Sequence, residues 1–471
     1  MENLAEQIYQ LLRSTQDQLK MERQVELLTQ EFIATQLKKA FERYDDELLP
    51  QMQAQGWKVA RKDCRRISFS FGRVEFRRRL YQHNKHYCYA LDQKIAIQPY
   101  QRYSIAQMGK IAKLGTENTY RKEARAIETL SPEPISKTTV RAITNRIGKQ
   151  AQEYHKYQQE YNLPKKRVLP VLYLEGDAVV LKNQNKSLMY LHRYQVHEGT
   201  RENGKKRECI RLHRFSNFRR KIAFNDMLDY LQKHYDLTNT VIISNSDGGS
   251  GYEPEVFDEL ALGCQQHEHF VDRYHLIQKL TERMDFCPEL FPIMRKALVY
   301  YYSWDKVRVV LDTMLAIALD DEIEAEKEQT ELLEKYLKRN WPYLKPFRLR
   351  DLPDEIKRSG IGVCESNHRP YTYRMKKQGR TWGKEGAGNV VWAIDAISNE
   401  DFDDVLRFIQ NEQLKHLDSE SLSKAELSRL FIEGHEEHVG VKQGVITPNA
   451  PSGSAIGKLR RSMVQSAERK L

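Results

Sequence analysis

Two aspartates stand where apolar, strand-like runs break off. Asp177 closes Tyr173-Leu-Glu-Gly-Asp177, and Asp247 closes Ile242-Ile-Ser-Asn-Ser-Asp247 ahead of Gly248-Gly249. An acid at such a place is costly unless it is paired or faces a cation. Carboxylates projecting from neighbouring strands lie about 5 Å apart, and they repel unless a divalent cation sits between them. Glu365, opening a later helix-like stretch, adds a third carboxylate and makes an oxygen-rich set suited to Mg²⁺ or Mn²⁺. Such a set can hold two ions about 3.5–4 Å apart, one activating a hydroxyl and one stabilising the leaving oxygen of a phosphodiester. Each aspartate taken alone reads more readily as a turn former, Asp247-Gly248 above all. It is the pair, with the strand order below, that favours a metal.

A second dense group is His267, Glu268, His269, Asp272 and His275. Three of its histidines could converge on zinc, but no cysteine pair or His-Glu-x-x-His spacing supports that. A supporting or DNA-positioning role for Asp272 and His275 is the stronger reading. The six cysteines are scattered without a C-x-x-C unit, so they read as free thiols used in packing, in a reducing cytoplasm.

These side chains need a sheet to carry them. Val168–Lys182, Ser187–Val196 and Lys206–His213 read as three successive strands. Phe218–His234 then reads as a helix, Thr240–Ser244 as a buried strand and His269–Val271 as another. Three strands at hairpin spacing, followed by alternating helix and strand, predict a mixed α/β sheet with helices packed on it. The strand returning through a helix lies beside the first, which sets Asp247 next to Asp177. Leu276–Phe347 reads as nearly pure helix, acidic at Asp320–Glu328, without chemistry of its own.

The charge is concentrated upstream. The 471 residues carry a net +11, and residues 51–150 hold 21 Lys/Arg against 7 Asp/Glu, leaving −3 for the rest. One basic block is the footprint of a nucleic-acid-binding surface; the alternative is a basic module facing acids of its own chain. Within it, Arg65–Leu91 alternates with period two and predicts a small sheet, apolar on one face and basic on the other through Arg73, Arg77 and Arg79. Helices then follow from Ser104, over Asn118–Leu130 and, after the Ser131-Pro-Glu-Pro break, from Ser136. That is the pattern of a helix-turn-helix, with Lys137, Arg141 and Arg146 facing outward to DNA. Residues 1–50 read as an amphipathic helical pair. No run reaches the 18 or so apolar residues of a membrane span, and the N-terminus lacks a secretory pattern.

The motifs together resemble the ISLre-type insertion-sequence transposases of bacteria, relatives of the Mutator-like DDE enzymes. The resemblance is carried by Glu175-x-Asp177, Asp247-Gly248, Asp272-x-x-His275, Glu365 with Arg374-Met375, and Trp382-Gly-Lys-Glu-Gly386. Upstream it is carried by Phe71-Gly-Arg-Val74, Pro99-Tyr-x-Arg102 and Ile135-Ser-Lys-Thr-Thr-Val140. It spans about residues 60–400, although Ser366-Asn-His-Arg-Pro after Glu365 and Asn245-Ser246 before Asp247 depart from the family pattern.

The resemblance implies a ribonuclease-H-like catalytic domain over 161–275 and 356–400, interrupted by a helical insertion at 276–355. Ahead of it come helices at 1–60, the basic sheet at 61–103 and the helix-turn-helix at 104–160, and helices with a basic tail follow at 401–471. Asp177, Asp247 and Glu365 would be ligands of Mg²⁺ or Mn²⁺, with His275 auxiliary. The expected activity is cleavage and strand transfer at the ends of a mobile element. The expected partner is double-stranded DNA, bound as a homo-oligomer. A DNA-binding regulator with an inactive core, and a nuclease without strand transfer, are the competing expectations.

Overall fold

A computed structural model describes residues 4–130, 134–204, 206–320, 323–353, 356 and 361–419. The Ser131-Pro-Glu break and the Gly/Pro/Ser-rich, basic C-terminal tail lie outside the described residues. Two units are distinguished, the larger taking in nearly all the described residues, Met1–His83 with Tyr89–Glu420.

The expected helical pair is present as α1 (Leu4–Ser14) and α2 (Gln18–Ala54), the latter capped by Asp17 accepting from the Lys20 backbone N–H. The basic hairpin is β1 (Lys58–Phe69) and β2 (Gly72–His83), antiparallel throughout. Its expected third strand is confined to His86–Cys88, while Leu91 falls in the short helix Ala90–Lys94. The hairpin's faces are less cleanly divided than alternation predicts. Arg78 is buried on the apolar face and paired with Asp92 at 2.8 Å.

Three helices follow: α3 (Ile105–Glu117), α4 (Tyr120–Leu130) and α5 (Lys137–Tyr161). Ser104 and Ser136 each accept the backbone N–H three residues on, satisfying a donor that a helix start leaves open. The trio does not pack alone. Its core of Met108, Ile111, Val140, Ile143 and Ile147 continues into Ala396, Phe402, Val405 and Ile409 of α12 (Lys384–Ser398) and α13 (Phe402–Ser419). Gly148 makes that junction possible, because a Cβ there would lie 1.8 Å from the Asn389 carbonyl oxygen.

Glu123 sits inside the same bundle, 1% exposed. Burial pushes its carboxyl up to about 8, only partly countered by Arg374. A folded-state value above the unfolded one means that stability is lost as pH rises from about 4.5 to 8. Glu123→Gln is therefore expected to raise Tm by roughly 5 °C at pH 9 and to change it little at pH 5. An equal effect at both pH values in thermal melts would contradict this placement of the carboxyl.

The mixed α/β sheet has five strands: β3 (Val171–Lys182), β4 (Leu188–His197), β5 (His213–Asn217), β6 (Val241–Ser246) and β7 (Gln266–Val271). Their spatial order is β7-β6-β3-β4-β5. β3 is parallel to β6, β6 is parallel to β7, and the β3–β4 and β4–β5 pairs are antiparallel. The first strand and the returning strand are neighbours, as the sequence predicts. Two details differ. Lys206–Cys209 forms a separate small hairpin with Thr200–Asn203, and the sheet's third strand begins only at His213. Asp177 lies inside β3, not at its end; it is the β6 partner that stops there, at Ser246 opposite Gly176.

One face of the sheet is covered by α6 (Arg220–His234) and α7 (Pro254–Leu260), which bury Leu172, Leu174, Tyr194 and Ile242. Gly176 belongs to this face, and a Cβ on it would come within 2.8 Å of Tyr252 and 3.1 Å of Phe257. The residue between Glu175 and Asp177 thus has no room for a side chain. The segment expected as nearly pure helix contains α8 (Arg273–Arg283), α9 (Trp304–Asp320) and α10 (Glu324–Asn340) around their own core. It is broken by a π-helical turn at Lys296–Tyr301 and by 3₁₀ turns at Trp341–Leu344 and Phe347–Leu349. Among the described residues no helix is long and apolar enough to cross a membrane.

Candidate active site

Strand alternation places Tyr173, Glu175 and Asp177 on the face opposite α6 and α7. Asn245 of β6 and Phe270 of β7 lie level with Glu175. One more step along the parallel register brings Asp247 and Asp272 level with Asp177, just past the ends of their strands. The Asp272 N–H donating to the Ser246 carbonyl at 2.6 Å keeps the ladder going to that point.

Glu365 arrives from the far side of the insertion, on the single-turn helix α11 (Cys364–Asn367). Its approach is fixed by Glu175. That carboxylate, 1% exposed, accepts the backbone N–H groups of Gly362 and Val363 at 2.6 and 3.1 Å and the Gln195 amide at 2.8 Å. Burial pushes Glu175 up to about 7 against these three donors.

The result is a cluster. Ligand atoms of Asp177, His275 and Glu365 all lie within 4.8 Å of one another. Asp247 is not a member of that group. Its carboxylate accepts the Gly249 N–H at 2.8 Å, yet its charge still acts on His275. That imidazole, at the start of α8, is raised to about 8 by its hydrogen bond to Asp272, opposed by burial and helped by the charges of Asp177, Asp272 and Asp247. Asp272 in turn caps α8 by accepting the His275 N–H at 3.0 Å.

The structure therefore joins Asp177, Glu365 and His275 directly and keeps Asp247 one strand away. His267 and His269 do not join them. They share the opposite face, where Ser244 Oγ meets His267 Nε2 at 2.6 Å and His269 Nδ1 at 2.7 Å. A zinc set of His267, His269 and His275 is ruled out by that separation.

Sequence reasoning missed His368. Its Nε2 lies 2.8 Å from Asp177 Oδ2, and its Nδ1 lies 2.5 Å from Arg193 Nη1. A guanidinium can only donate, so Nδ1 must accept, and the proton sits on Nε2, pointing at Asp177. Arg193, fully buried on β4 opposite Asp177 in register, lies 4.2 Å over the Tyr371 ring. The Tyr371 hydroxyl donates to Asp395, whose carboxyl burial pushes up to about 6. The available signal was spacing: His368 is three residues after Glu365, hence on the same helical face.

The cluster suits a hard divalent cation. Two carboxylates converge with a third beside them, and Glu365 is half-exposed to an incoming ligand. The carboxylates offer the cation hard oxygen donors, and His275, within 4.8 Å of both Asp177 and Glu365, offers a nitrogen once its proton has left.

Of the expected DNA contacts, Lys137, Arg141 and Arg146 are exposed along α5, and Arg73 and Arg77 are exposed on β2. Arg79 differs: its guanidinium pairs with Asp45 at 2.5 Å and Asp46 at 2.6 Å. Here, as at Arg78 with Asp92 and Arg66 with Glu75, the basic sheet meets acids of its own chain. Among the cysteines, Cys64 is exposed and Cys88, Cys287 and Cys364 are buried; all six are free.

A family model described as "Uncharacterised protein family (UPF0236)" matches residues 15–401. A UPF0236 protein of Streptococcus gallolyticus, named for its place in the vanSb 3′ region, is 32% identical over 97% of this chain and 98% of its own length. A UPF0236 protein of Caldanaerobacter subterraneus subsp. tengcongensis, whose name joins eleven locus designations, is 23% identical over 70% of this chain and 67% of its own. Another from that organism, joining four designations, is 24% identical over 70% of this chain and 67% of its own.

Proposed function

The chain belongs to the UPF0236 family, and from its clustered acids we propose that it is a DNA transposase, cutting and joining strands at the ends of a mobile element. The observation that carries this reading is the convergence of Asp177 and Glu365, far apart in sequence, in one cluster, with Asp247 level with Asp177 on the next strand. Two further facts support it. The strand order, with the first strand flanked by an antiparallel second and a parallel fourth, is that expected of a ribonuclease-H-like core. The many locus designations of the relatives in one organism are what a self-copying element leaves behind.

In this reading Asp177, Glu365 and Asp247 hold Mg²⁺ or Mn²⁺. The bound ion supplies charge neutralisation and a more nucleophilic oxygen. Asp177 is kept in place by the Nε2–H of His368, whose tautomer Arg193 dictates. Glu365 is brought to the site by Glu175 through the Gly362 and Val363 backbone. His275, oriented by Asp272, stands beside the two carboxylates as the auxiliary group. The exposed cations of α5 and of β2 grip the duplex by its phosphates, which fixes its position ahead of any reading of bases.

The direct test incubates the protein with Mg²⁺, a DNA fragment carrying an end of its own element, and a target plasmid. Cleavage at the end followed by joined products is expected. Cleavage without joining would mean a nuclease; salt-sensitive binding without cleavage under any divalent ion would mean a regulator.

A further inference from the structure

Beside the acidic cluster lies a cavity of opposite character, about 390 Å³ in volume. It opens between the end of β7, the first turn of α8 and the 341–349 segment. It shares a wall with the acids, since Asp272 and Gly362 line it and the Gly362 N–H is the one held by Glu175. Three cations, Arg273, Lys345 and Arg348, stand on its lining against the single carboxylate of Asp272.

The other notable lining groups are rings. Tyr274 is 62% exposed at the mouth. Phe347 stacks on Phe270 at 6.0 Å and 24°, and the Arg350 guanidinium lies 4.0 Å over that Phe270. Arg350 also pairs with Glu268 and donates to the carbonyls of Pro342, Tyr343 and Lys345. The wall is thus pinned to the edge strand, so Phe347 is held in place before any ligand enters. A cavity of this size suits a small ligand and is far too narrow for a duplex.

We propose that this cavity takes one unpaired nucleotide of the DNA, next to the phosphodiester at the acids. Its base lies against Tyr274 and Phe347, and its phosphate meets Arg273 and Lys345. The inference rests on reading the acids as a DNA-cutting site. Rings can meet the face of a base only when it has left its stack. Cations beside a carboxylate cluster draw in the phosphates that the cluster itself repels.

The test uses the whole protein with Ca²⁺ in place of Mg²⁺ and two probes: a blunt duplex of about 20 base pairs, and the same duplex with a short single-stranded 3′ extension carrying 2-aminopurine. The extension is expected to tighten binding about tenfold, a typical return for one stacked base, and to quench the 2-aminopurine. Tyr274→Ala combined with Lys345→Ala should abolish both gains while leaving blunt-duplex affinity within about twofold. Equal affinity for the two probes, or a gain and quench that survive the double variant, overturns the proposal. Cleavage with Mg²⁺ is measured in parallel. Cleavage without the gain sinks the cavity alone, whereas the gain without cleavage sinks the cutting activity and leaves the cavity supported.

Discussion

Asp177→Asn is expected to lower Mg²⁺-dependent cleavage at least about 1000-fold, equivalent to roughly 4 kcal/mol of transition-state stabilisation. The reasoning is local. Asp177 belongs to the 4.8 Å cluster and meets the buried His368 at 2.8 Å, closer than the 4.0 Å at which Glu365 meets it. Asparagine keeps the size and can still accept the Nε2–H, so the fold and the DNA affinity should hold. What it removes is a formal charge at the metal. Thermal melts and duplex binding unchanged from the parent, with cleavage gone, are the expected pattern. Full cleavage by the variant would remove Asp177 from the reaction.

Glu175→Ala is the second large effect, and it works at a distance. The substitution leaves the Gly362 and Val363 N–H groups and the Gln195 amide without their shared acceptor. Unmet buried donors cost about 1–3 kcal/mol each, so a stability loss of roughly 2–4 kcal/mol is expected. The segment bearing Glu365 would also lose its anchor. Cleavage should fall about 100-fold, and the Mg²⁺ concentration for half-activity should rise, because a displaced Glu365 binds metal poorly. Glu175→Gln retains an acceptor oxygen and should recover most of both. A variant that loses stability but keeps its metal dependence would assign Glu175 to packing alone.

The sequence already carried much of this arrangement. The two aspartates and their placement on neighbouring strands follow from periodicity and strand order. Glu365 was found by resemblance and by being an acid on a later helix; no local pattern joins it to residue 177. The joining depends on Glu175, whose partners are backbone groups nearly two hundred positions away, and periodicity does not report such contacts. His368 was hidden for a related reason. Its neighbours Arg193 and Asp177 face each other only through the antiparallel register of β3 and β4, so its role exists in the paired sheet and not in the local sequence. The basic hairpin teaches the converse. Alternation put Arg79 on a cationic face, but it could not show that Asp45 and Asp46 of α2 meet it there.

The central claim is that these carboxylates share a metal. Crystals of the protein soaked in Mn²⁺ would decide it through anomalous diffraction. The account predicts a peak touching carboxylate oxygens of both Asp177 and Glu365, on the side facing Asp247, and its disappearance in Asp177→Asn. Manganese bound elsewhere, with no peak between those two side chains, would contradict it.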